Sequence, residues 1–100
     1  MDDGGVRKFI LEGHEVVPAN TQKWLAWFSD ADRTVAHDII KDVSVSTVFL
    51  GLDHRFGGDG PPLVFETMVF GGEHDEFCDR YSTWDEALVG HDEAVKMVKG

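Results

Sequence analysis

The sequence predicts an α+β domain: an antiparallel sheet of about four to six strands with two helices packed on one face, ordered β(β)αββββα. Three observations carry this reading. Short β-branched runs alternate along much of the chain, turn-forming segments separate them, and apolar residues recur at helical spacing in only two places. At 100 residues the chain is expected to form one domain over positions 1–100, with 1–5 as a flexible lead. Two domains of half that size would each lack a core.

Val6 to Leu11 is the first strand candidate, and Glu12-Gly13 is a turn signal from which His14 to Val17 can return. Pro18-Ala19-Asn20 ends the extended run. Asn20 or Thr21 can then cap a short helix with Trp24, Leu25, Trp27 and Phe28 as its apolar face. Thr34 to Ile40 and Val43 to Leu50 read as strands joined at Lys41-Asp42. The face of Val43 to Leu50 that enters the core stays open, because both faces become apolar by Val48.

After the Gly/Pro-rich segment GLDHRFGGDGPP, Leu63 to Phe70 reads as a strand and Phe77 to Tyr81 as an edge strand. The last element is a helix. Thr83 and Glu86 form a capping box, and Trp84, Ala87, Leu88, His91, Ala94, Val95 and Val98 share one helical face. Asp85 and Glu86 near its start and Lys96 and Lys99 near its end suit the helix dipole. With two helices on one face, the other sheet face is left to water or to a partner, a second copy of the chain being one such partner.

Charge and composition narrow the function classes. Nineteen acidic and nine basic residues give a net charge of −10, which repels phosphates, so direct nucleic-acid binding is not expected. Hydrophobic residues make up 42%, too many for a disordered acidic tail. The single cysteine excludes an internal disulfide. No apolar run approaches the ~18 residues that span a bilayer, and MDDGGVRKF lacks a basic, apolar leader, so a cytoplasmic protein is expected.

The charge is concentrated. Between Glu73 and Glu93 there are eight acidic residues against Arg80 alone, which is −7 of the −10. Glu73, Asp75, Glu76, Asp79, Asp85, Asp92 and Glu93 are therefore candidates for docking a basic protein surface. The same charges also serve solubility. A second candidate is a ligand site using Asp53, His54, Arg55 and Asp59, with Glu66 and His91 beneath it. There Asp53 would orient His54 as a base and Arg55 would hold an anion. The plainer role for these residues is hydrogen bonding within the loop.

His91, on an apolar helix face, more often serves as a core histidine bonded to a carbonyl or carboxylate. Glu66 either faces water or pairs with His54 or Arg55. His14, His37, His54, His74 and His91 form neither an HxxxH nor an HxH pair, so no metal or other cofactor is expected. Cys78, beside Asp79, reads as an ordinary thiol, and no nucleophile–base arrangement is identifiable.

VSTVFLGLDHRFG (45–57), GPPLVFETMVFGG (60–72) and YSTWDEALVGH (81–91) resemble segments of small acidic proteins of unassigned function encoded by phages and prophages. The resemblance implies no reaction, cofactor or catalytic residue. It implies a protein made in the cytoplasm of a bacterial host. In that setting the acidic block is expected to bind and block a basic surface of a host protein, such as a nucleic-acid-binding defence complex, without catalysis. The alternatives are the small-ligand or metal-assisted site above, and a minor component of a virion.

Overall fold

The computed structural model describes residues 6–53 and 60–100. The lead at 1–5 and the site candidates His54, Arg55 and Asp59 lie outside the described residues. Strands β1 (Phe9–Glu12) and β2 (Glu15–Pro18) form an antiparallel hairpin and lead into helix α1 (Thr21–Phe28). Strands β3 (Thr34–Ile40), β4 (Val43–Phe49), β5 (Phe65–Phe70) and β6 (Cys78–Tyr81) follow, then helix α2 (Trp84–Lys99). The last four strands make one antiparallel meander, β3-β4-β5-β6, so β3 and β6 are its edges. The α+β class and the element order are those the sequence predicts.

Register decides the face that sequence periodicity leaves open. Val45, Thr47 and Phe49 of β4 pair with Val69, Thr67 and Phe65 of β5, and all six are fully buried. Both helices touch this inner face. Ala94 of α2 packs with Val45 and Val69, while Trp27 of α1 meets the Phe49 ring edge-on at 5.6 Å. The outer face carries the alternate residues, including exposed Ile39 and Phe70.

The core has two apolar parts separated by a polar layer. One gathers Phe9, Phe49, Val64, Phe65 and Ala87 beneath the hairpin and the start of α2. The other gathers Val45, Val69 and Ala94 towards the helix end. Between them lie Thr47, Thr67 and His91, all buried.

Helix α1 departs from the expected apolar face. It has no fully buried residue, and Leu25 is exposed. Eight residues give barely two turns, and contacts made by Trp24 and Trp27 fix its orientation. Trp24 Nε1 donates to the Gly51 carbonyl at 3.0 Å, and Trp27 reaches Phe49. Gly51 accepts this approach because it has φ +80° and no side chain; a Cβ there would lie 3.0 Å from both Phe28 and Trp24.

Candidate functional site

Helix α2 owes its placement to its first turn. Thr83 caps the Glu86 N–H, and Glu86 Oε1 accepts from the N–H groups of Ser82 and Thr83. This reciprocal capping fixes the angle at which α2 leaves β6. Three of its carboxylates then face the free edge of β6 across a groove of about 590 Å³. Asp85, Glu86 and Glu93 border the groove, with Tyr81, Val89 and Leu63 supplying apolar surface and Arg80 on the strand side. Val89 is 59% exposed, an apolar contact point among acids. Asp85 and Glu93 have no ion-pair partner among the described residues. Arg80 is paired with Glu66 instead, at 3.0 Å.

The groove has its depth because position 90 is glycine. A Cβ there would lie 2.2 Å from Cζ and the hydroxyl of Tyr81, so only glycine lets this ring lie against the helix. Burial raises the Tyr81 phenol above its ordinary value of 10.0. The charges of Asp79 and Glu93 add to the rise. A phenol whose folded value is raised stabilises the fold below pH 10, and that stability is lost as pH rises through the raised value. Tyr81 is the chain's one tyrosine, so phenolate absorbance reads it alone. Its midpoint is expected to lie above that of the urea-unfolded chain, and Tyr81→Phe should flatten the alkaline loss of thermal stability. Equal midpoints in the folded and unfolded chains would contradict this account.

Not all the predicted acids meet at the groove. Asp79 is close enough to act on Tyr81, whereas Asp92 is exposed and does not border the groove. Glu73, Asp75 and Glu76 lie in the turn before β6. There Asp75 accepts from the Gly71 N–H at 2.7 Å, Glu73 is 3.7 Å from His74, and Glu76 has φ 70°. Sequence reasoning assigned Glu86 to capping alone and missed Arg80, Tyr81 and Val89 as groove residues. The available signal was Gly90. Glycine inside an otherwise regular helix costs about 1 kcal/mol against alanine and usually has a packing reason.

Of the second set of candidates, the three among the described residues, Asp53, Glu66 and His91, do not converge. Asp53 is buried, accepts from Arg7 through Oδ2 and takes the Leu63 N–H on Oδ1 at 3.0 Å. It thus ties together chain segments from both sides of the 54–59 stretch. Glu66 lies on the outer face, where its Oε2 accepts from Arg80 and from the Cys78 thiol at 3.3 Å. Burial, with Glu66 close by, raises the Cys78 thiol above its ordinary value, which opposes thiolate chemistry. His91 is on the inner face, so the sheet separates it from Glu66. Among the described residues, no cluster of His, Cys, Asp and Glu could hold a metal ion.

His91 is the bonded core histidine anticipated from its helix face. Its Nε2 lies 2.8 Å from Asp38 Oδ2, and its Nδ1 lies 2.7 Å from Thr47 Oγ1. Thr47 Oγ1 is in turn 2.5 Å from Thr67 Oγ1. With Nε2–H donating to the Asp38 carboxylate, Thr47 donates to Nδ1 and Thr67 donates to Thr47. Asp38, His91 and Thr47 repeat the carboxylate–imidazole–hydroxyl order of hydrolases, but Thr47 is fully buried and no substrate reaches it. The chemistry this layer performs is structural.

Among the described residues no helix is long and apolar enough to cross a membrane. Comparison of the chain with protein-family models, curated proteins and solved structures finds no match.

Proposed function

We propose that the protein is a non-enzymatic, phage-type inhibitor that binds a basic surface of a bacterial host protein and blocks it. The partner class that best suits this charge is a nucleic-acid-binding defence complex, whose binding channel is itself basic. One observation carries the reading: Asp85, Glu86 and Glu93 line a groove whose exposed apolar patch is Val89, and neither Asp85 nor Glu93 has an ion-pair partner among the described residues. Charges held around an apolar contact supply both steering and an anchor. The acids of the Glu73–Glu76 turn and Asp79 extend the field, which speeds encounter with a cationic surface.

The test uses the full chain as bait in a bacterial lysate at low and high salt, followed by titration of the captured protein after purification. Asp85→Lys with Glu93→Lys is expected to weaken binding at least about tenfold, equivalent to about 1.4 kcal/mol. Asp92→Lys with Asp30→Lys, which changes net charge by the same amount at exposed positions away from the groove, should change affinity by less than about threefold, or about 0.7 kcal/mol. Equal losses from both sets would show that only net charge matters. Unchanged binding in the groove variant would remove the proposal.

A further inference from the structure

We infer that the groove and an apolar pocket beside it form one docking surface for an extended segment carrying a large apolar side chain followed by two cations. This rests on the basic-partner reading and adds to it the shape and spacing of the segment. The second cavity, about 460 Å³, lies between the β1–β2 hairpin and the start of α2. Phe9, Val16, Pro18 and Trp84 give it apolar walls. The His14 ring stacks on Trp84 at 3.8 Å and 5° between planes, which holds the indole in place.

The two cavities are adjacent. Ser82 borders both, while adjacent Pro61 and Pro62 border the groove and the pocket respectively. Their chemistry is complementary to one ligand: the pocket is walled mostly by aromatic and aliphatic groups with Glu15 beside them, and the groove carries three carboxylates against Arg80 alone. A second copy of this chain, also at −10, is a poor occupant, whereas a cationic segment relieves the repulsion. Its apolar side chain supplies what charge alone does not, a desolvated anchor.

Geometry sets the spacing. Trp84 and Asp85 both lie in the first turn of α2, beside the Ser82 that borders both cavities, so the apolar seat lies at the Asp85 end of the groove. Asp85 and Glu93 are separated by about 12 Å along α2 at ~1.5 Å per residue. An extended segment covers that distance in about four residues at ~3.3 Å each. The Arg80 N–H on the free edge of β6 donates to the Asp79 carboxylate at 2.9 Å. Strand addition at this residue is therefore opposed, and side chains hold the segment in the groove.

A fluorescein-labelled peptide with phenylalanine, lysine about two positions later and a second lysine about four positions beyond, in a glycine–serine background, tests this by anisotropy at low salt. Replacing its phenylalanine with alanine is expected to weaken binding about tenfold, and placing the lysines side by side should weaken it severalfold. Glu93→Lys should weaken both the phenylalanine and alanine peptides. In nitrogen-labelled protein, the Val16 amide and the Trp84 indole should shift only with the phenylalanine peptide. Equal affinity of the two peptides, or no shift at Trp84, overturns the two-part surface. If Glu93→Lys still weakens both peptides, the basic-partner reading survives that failure. If it weakens neither, both readings fall. Absence of binding by any peptide up to millimolar concentration also overturns the two-part surface, while the lysate experiment judges the broader reading separately.

Discussion

Replacing His91 with alanine is expected to lower stability by about 3–4 kcal/mol, combining a cavity at a buried site with a stranded hydroxyl proton. The His91 side chain is 3% exposed and holds Asp38 and Thr47 by separate nitrogens. Without it, Asp38 can turn to water because its side chain is 56% exposed, but Thr47 cannot. The midpoint of thermal unfolding should fall by roughly 12–32 °C, given about 4–8 °C per kcal/mol for a domain of this size. The double variant His91→Leu with Thr47→Val removes the polar link while keeping most of the volume, and it should recover a large part of the loss. Urea unfolding followed by tryptophan fluorescence measures both. A loss below about 1 kcal/mol in His91→Ala would mean that these bonds contribute little beyond solvent hydrogen bonds.

Gly90→Ala should destabilise by about 2–3 kcal/mol, although alanine is the better helix former by about 1 kcal/mol. The new methyl would coincide with the Tyr81 ring, so the ring or the helix must move, and Tyr81 would lose its place beside Thr67. Removing the obstacle reverses the sign. In a Tyr81→Ala background, Gly90→Ala is expected to stabilise by about 0.5–1 kcal/mol, because only the helix preference remains. A four-member cycle of unfolding free energies resolves this coupling. Destabilisation of similar size with and without Tyr81 would show that position 90 is constrained by something other than this ring.

Much of the scaffold is legible in the sequence because it depends on local rules. The Thr83–Glu86 capping pair and the spacing from Trp84 to Val98 locate α2 to within a residue, and alternation locates β3 to β6 closely. The inner face of β4 was not legible. Val43, Val45 and Phe49 compete with Val48 and Leu50, and the decision rests on two threonines that bond each other and, through Thr47, a distant histidine. That same decision separates Glu66 from His91, since Glu66 and its neighbour Thr67 necessarily point to opposite sides of a strand. Leu25 misled for a related reason: a two-turn helix is oriented by what it touches, and only tertiary contacts reveal that.

The groove was half legible. Counting charge identified the segment that holds Asp85 and Glu93, but not that Asp92, one residue from Glu93, lies away from the groove. Helical geometry separates adjacent residues by about 100°, so a linear count of acids overstates any one face. Gly90 and Tyr81 form the floor through a contact across nine residues of sequence, with no local periodicity to announce it.

The polar layer has one further consequence, for misfolding. A slip of one position between β4 and β5 would turn the buried side chains outward and be rejected by hydrophobicity alone. A slip of two positions keeps every apolar residue on its proper side, so burial hardly distinguishes it from the native pairing. Only such a slip sets Thr47 against Phe65 or Val69 and strands its hydroxyl inside the core, beyond the reach of its native threonine partner. Thr47, Thr67 and His91 thus act as a key that excludes near-copies of the fold, a gain in uniqueness in addition to stability.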